Sequence, residues 1–270
     1  MNRKVLAGPG TATKTPGASG KKEKPHIIYL VACLLAISAC SVTESDNIKS
    51  KGIEAKFAVK ARGNGQTTVT GELKTGSGPL ATDLDLHNGD QLTVTAQGIS
   101  KTMQAEKNLF KGITYVAEFN FDTGGPEFVI ALNRPDDISA PNSRVTLPEA
   151  LEFTLPADNT RVGFDTDLDI SWQPEGLSDS VDIVFTTLCP SANGGNNTHT
   201  EKRTVPDTGA FSLSTDIIVG TAASQAFFNQ NCTSKIQLSR ENRGDLDPNY
   251  GGGGKITALQ SRSRTVIINL

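Results

Sequence analysis

The sequence predicts an all-β protein with two antiparallel β-sandwich domains, and three observations carry that expectation. Apolar residues alternate with polar ones through most of the chain, the period of strands with one face buried and one wet. The alternating runs are short and end at clusters of Gly, Pro, Asn and Asp, which stop strands and turn the backbone. Hydrophobic residues make up 36% of the 270 and aromatic residues 6%, enough for a core but thin in large anchors. No apolar run reaches the roughly 18 residues of a spanning helix.

In chain order, residues 1–25 carry six bases (Arg3, Lys4, Lys14, Lys21, Lys22, Lys24) against Glu23. An apolar run from Ile27 to Ile37 follows, then Ser38, Ala39 and Cys40. A basic start, a short apolar centre and a small-residue end form the pattern of an export signal. The end resembles the lipobox of bacterial envelope lipoproteins: Ile37-Ser38-Ala39-Cys40 offers a branched apolar residue, two small residues and the lipid-accepting cysteine. The resemblance implies that residues 1–39 are a lipoprotein signal peptide and that the Cys40 thiol becomes a diacylglyceryl thioether. Cleavage would fall before Cys40, whose freed amine would be acylated, with palmitate the expected chain. Ser41 stands where that family's inner-membrane retention signal has Asp, which implies the outer membrane. An ordinary secretory signal and an uncut anchor are the alternatives.

The whole chain has 26 Lys+Arg and 29 Asp+Glu. Without residues 1–39, six bases and one acid fewer, 20 bases face 28 acids, a net of −8. Such a chain has no long-range attraction for nucleic acid or anionic head groups. The lipid must then hold it to the membrane, which takes more than one acyl chain.

Residues 40–50 are polar and patternless, the composition of a flexible tether. Domain 1 is expected over 51–133. Ile53, Ala55, Phe57 and Val59 share one strand face, and Leu92, Val94 and Ala96 another. Ile113 to Phe121 and Phe128 to Leu132 repeat the period. The stretch 134–148 contains Pro135, Pro141 and Pro148 among Asp, Ser and Asn and reads as a Pro-rich, semi-rigid linker.

Domain 2 is expected over 149–270. Its strand signals are Leu151–Leu155, Leu168–Trp172, Val181–Phe185, Phe211–Leu213, Ile236–Leu238, Ile256–Ala258 and Val266–Ile268. Seven short strands at this spacing, with one early Trp, resemble an immunoglobulin- or fibronectin-like sandwich in outline.

Cys189 and Cys232 are the cysteines left beyond Cys40. An exported pair points to a disulfide, with two buried free thiols as the alternative. Both lie at strand edges, closing a loop rich in polar residues that includes Gly194-Gly195-Asn196-Asn197. Neither forms a Cys-x-x-Cys pair, so redox or zinc chemistry has little support.

Beyond residue 39 the His residues are His87 and His199, both among turn formers, and no Gly-x-Ser-x-Gly elbow supplies a nucleophile. Gly251-Gly252-Gly253-Gly254-Lys255-Ile256 fails as a phosphate loop, because Asn249 replaces the first Gly and Ile256 the magnesium-binding Ser or Thr. It reads as a flexible turn. Asp165, Asp167 and Asp169 project from one strand face about 7 Å apart. With a neighbouring loop they could hold Ca²⁺; the simpler expectation is a solvated acidic face and no metal. Asp83, Asp85 and Asp90 form a second acidic cluster, and Arg243-Gly244-Asp245 matches a three-residue adhesion motif.

These features predict a lipid-anchored envelope protein acting as a structural or binding module. It is expected to be no enzyme, with no catalytic residue and no cofactor, and its protein or surface-polymer partner stays open. The alternatives are a hydrolase with its site in the interdomain cleft and a calcium-dependent surface adhesin.

Overall fold

The computed structural model describes residues 42–270 apart from 77, 79, 80, 109–111, 192, 193 and 226–229. The signal segment and Cys40 lie outside the described residues. The first strands are Val42–Glu44 (β1), Ile53–Ala61 (β2), Thr67–Thr75 (β3), Thr82–Asp85 (β4), Gln91–Ala96 (β5) and Ile99–Thr102 (β6). Next come Gln104–Asn108 (β7), Gly112–Phe119 (β8), Glu127–Asn133 (β9), Ala140–Thr146 (β10), Glu152–Leu155 (β11) and Thr160–Gly163 (β12). The rest are Asp167–Gln173 (β13), Ser180–Pro190 (β14), Asn196–Pro206 (β15), Ala210–Ser214 (β16), Asn231–Arg243 (β17) and Gly254–Asn269 (β18), with a short helix α1 at Thr215–Val219.

Three sheets result. The longest runs β1-β4-β3-β2-β18-β17-β14-β15, with β8 on β3, β7 on β8 and β12 on β18. The others are β10-β9-β5-β6 and β11-β13-β16. Alternation decides which side of the long sheet is covered. In β18, Ile256 and Ala258 are buried in one core and Val266 and Ile268 in the other. All four have the same parity and so share a face. Both small sheets therefore pack on one side of the long sheet, and among the described residues no element covers the other.

The first core joins Ile53, Phe57, Val69 and Phe119 of the long sheet to Leu92, Phe128 and Ile130 opposite. Phe119 and Phe128 meet edge to face with ring centroids 5.5 Å apart, the arrangement their quadrupoles favour. The second core joins Ile183, Phe185 and Ile236 to Leu168, Ile170 and Trp172. Around it, β11, β13 and β16 take the A, B and E places of an immunoglobulin-like sandwich, and β14, β17 and β18 the C, F and G places.

Five expectations need correction. First, the stretch 134–148 is not a free linker. Ala140–Thr146 pairs with β9, and Val145 and Leu147 are buried. Pro141 is tolerated because β10 is an edge strand and its register shifts between Ala140 and Ser143. Second, residues 51–133 and 149–270 do not each keep their own core. Tyr250, Ile256 and Ala258 belong to the first, because β18 runs parallel to β2 from Gly254 to Gln260 before meeting β12 at Val266.

Third, the polar stretch after Cys189 is mostly strand. β15 pairs with β14 along its whole length, from Asn196↔Pro190 to Pro206↔Ser180, and its polar composition suits a sheet edge. Fourth, the Gly251–Gly254 turn is not loose. A Cβ on Gly252 would stand 2.7 Å from the backbone of Ile53 and Glu54, and Gly254 has φ +129° against the Ala55 carbonyl. These glycines are required by close backbone approach.

The flexible tether over 40–50 is also corrected, since residues 42–50 pack onto the domain. β1 pairs in parallel with β4, and Ser45 and Ser50 are buried. Arg134 is the cause. Its guanidinium donates to the carbonyls of Ser45 (2.6 Å) and Ile48 (2.7 Å), to Asp90 (2.9 Å) and to Asp137 (3.0 Å). Asp137 also accepts the Ser50 N–H at 2.7 Å. That bond, with Lys49 nearby, holds its carboxyl below the ordinary value despite burial.

Asp137→Asn keeps the shape but removes the charge, and should cost about 1–2 kcal/mol. Trypsin cleavage after Lys49 and Lys51 should accelerate, read by intact-mass analysis over time. An unchanged cleavage rate would show that the segment is held by something else.

Candidate functional site

The open face of the long sheet carries the outward side chains of β2, β17 and β18, mainly Lys, Ser and Thr. Its edge has a step: the β2 ladder along β18 stops at Gln260 and the β12 ladder starts at Val266. The turn after β2 crosses this step, with Gly63 so close to Arg262 that a Cβ there would stand 2.6 Å from its side chain.

A trough of about 460 Å³ lies at the step, lined by Lys60, Arg62, Lys235, Gln237, Leu259, Ser261, Arg262 and Ser263. Register places Lys60 beside Leu259, Gln237 opposite Ser263 and Lys235 opposite Thr265. Ser261 is nearly buried and, with Ser239 opposite it, keeps the floor low. Arg262 also lines it and is held by the carboxylate of Glu152 at 2.6 Å. Lys60, Arg62 and Lys235 are exposed and form no ion pair or hydrogen bond among the described residues. No carboxylate, imidazole or thiol lines the trough.

The residues singled out in the sequence lie elsewhere. Cys189 and Cys232 are bonded to each other, with Cα atoms 4.3 Å apart. They sit directly opposite in the register that pairs Leu188 with Thr233, within one sheet, whereas antibody domains bridge their two sheets. Asp167 and Asp169 are exposed on β13 across from Ser214 and Ser212, and Asp165 lies in the preceding turn with φ +58°. Among the described residues no three His, Cys, Asp or Glu side chains converge as metal ligands.

The second acidic cluster is divided among separate cations: Asp83 faces Lys74, Asp85 faces Lys107 and His87, and Asp90 faces Arg134. His199, expected in a turn, is half-buried in β15 beside Gly220. Asp245 of the Arg-Gly-Asp match is bridged to Arg144 of β10. A Cβ on Gly244 would meet the Arg144 carbonyl at 2.0 Å, so the motif's backbone is fixed rather than looped out.

Sequence reasoning missed a buried ionic network in the second core. Asp207 accepts hydrogen bonds from Trp172 Nε1 (2.8 Å), from Arg240 Nε (3.0 Å) and from the backbone N–H groups of Leu177 and Ser178 (3.1 Å each). Arg240 also donates to the carbonyls of Pro174 and Glu149. Its signal was its position: Arg240 follows Ile236 and Leu238 at the inward parity of β17, where a cation needs a buried partner.

Among the described residues no helix is long and apolar enough to cross a membrane. No family model matches the chain, and neither does any curated protein. Among solved structures it is similar to the fibronectin(III)-like modules of Clostridium thermocellum CbhA, at 11% identity and a TM-score of 0.22, over 80% of this chain and 90% of that one. The adhesin InvE of Yersinia pseudotuberculosis is 11% identical with a TM-score of 0.22, over 82% of this chain and 60% of that one. Latent PorU of Porphyromonas gingivalis is 9% identical with a TM-score of 0.23, over 80% and 20%. Likeness at this level says nothing about ligands. The strand topology itself defines an all-β sandwich protein.

Proposed function

We propose that this chain is a lipid-anchored envelope protein that binds through the open face of its long sheet and turns nothing over. The carrying observation is that this face holds a trough lined by the free cations Lys60, Arg62 and Lys235, by hydroxyls and by an amide, with no carboxylate in the lining; the nearby Glu152 is engaged by Arg262. Hydrolysis of a glycosidic bond needs two carboxylates flanking it, and the lining holds none. The trough offers cations and neutral polar groups, which is the equipment of a receptor.

Anchoring at Cys40 fits the docked segment 42–50. With β1 paired to β4 a residue past Ser41, a lipid on Cys40 would hold the module close to the bilayer rather than on a long leash. Cys40→Ser should release the protein from the outer-membrane fraction or leave it uncleaved in the inner membrane. Normal fractionation of that variant, with the leader lost at the same bond, would refute the anchor.

A further inference from the structure

The charge pattern narrows what the trough can take. Without residues 1–39 the chain carries a net −8, so an extended polyanion or an anionic bilayer meets repulsion over most of the surface. Lys60, Arg62 and Lys235 instead make a small positive island, and their head groups have no internal partner. Between them stand hydroxyl and amide groups of Ser261, Ser263 and Gln237 over the short apolar patch of Leu259. Glu241, across Leu259 in the ladder, and Asp182, across Ser239, lie outside the lining. Cations beside neutral donors and acceptors complement a molecule with a few anionic groups and many hydroxyls. The volume of about 460 Å³ falls within the usual small-ligand range of roughly 300–1,000 Å³.

We propose that the trough binds an acidic saccharide, whose carboxylate or phosphate is held by Lys60, Arg62 and Lys235 and whose hydroxyls are read by Gln237, Ser261 and Ser263. This rests on the binding reading above and names the ligand class for the same face.

The test is calorimetric titration of the full chain in nonionic detergent with trigalacturonate, with a phosphorylated trimannoside and with maltotriose. At least one acidic sugar should bind, with affinity falling as salt rises from about 0.05 to 0.5 M, since exposed charges are then screened. Binding of the carboxylated sugar alone or of the phosphorylated sugar alone identifies the group. Arg62→Gln and Lys235→Gln should each weaken binding roughly tenfold; both side chains are exposed, so neither substitution disturbs the core. Maltotriose binding as tightly as the acidic sugars, no binding of any sugar, or affinity unchanged in the double variant would overturn the assignment. So would capture by phosphatidylglycerol but not phosphatidylcholine vesicles that the double variant loses. None of these results touches the fractionation of Cys40→Ser, so the ligand and the anchor fail separately.

Discussion

Asp207→Ala should cost about 3–5 kcal/mol, the loss seen when one partner of a buried ion pair is removed and the other is stranded. Arg240 is fully buried, and without the carboxylate its Nε has no acceptor. Trp172 Nε1 and the N–H groups of Leu177 and Ser178 lose theirs at the same time. Trp172 is the chain's sole tryptophan, so urea unfolding followed by its fluorescence reads the site directly. A loss under about 1 kcal/mol would mean that water reaches the site and replaces the carboxylate.

The pH dependence has a definite sign. Burial pushes Asp207 up, but Arg240, Trp172 and the Leu177 N–H outweigh it and leave the carboxyl below its ordinary 3.8. A depressed value stabilises the fold fully above 3.8, and the contribution fades as pH falls through the lower folded value. The gap in stability between the native protein and Asp207→Asn should therefore shrink in acid below about pH 4.

Losing the Cys189–Cys232 bridge should cost about 4 kcal/mol, the chain-entropy estimate for a loop with a sequence separation of 43. For a chain of this size that shifts the melting temperature by on the order of 10 °C. From the sequence alone, reduction would be expected to lower the melting temperature of the second domain far more than that of the first. The structure changes that expectation, because β18 serves both cores. Calorimetry of the double Cys→Ala variant should show one transition, moved down as a whole. Two separate transitions, only the lower one shifted, would mean that the shared sheet does not couple the cores.

Much of the strand framework was legible because burial on one face imprints period two. The face of β2 from Ile53 to Val59, that of β13 from Leu168 to Trp172 and that of β14 from Val181 to Phe185 are buried as their alternation predicts. Three kinds of element were not legible. Edge strands mislead composition: β15 buries no side chain and reads as loop, and β10 carries Pro141 among polar residues and reads as linker. A strand crossing two cores leaves two apolar clusters, Ile256–Ala258 and Val266–Ile268, with polar Gln260 to Arg264 between them, and reads as two strands. The segment 42–50 is held by backbone carbonyls meeting Arg134, and carbonyls carry no sequence signal. The trough was hidden for a related reason. Lys60 and Lys235 are ordinary outward residues of separate strands, and only the β2–β18–β17 order brings them to one step in the sheet edge.

The parallel ladder between β2 and β18 governs the order in which the molecule can be completed. Ala55 waits for Gly254, 199 residues further along the chain, and loop closure over that distance makes such pairing slow. Until β18 arrives, β2 presents an unpaired edge with an apolar face, the surface most open to capture by a stray extended segment. A nascent chain delivered in order from the first residue therefore leaves that edge without its native partner until the last strand is made.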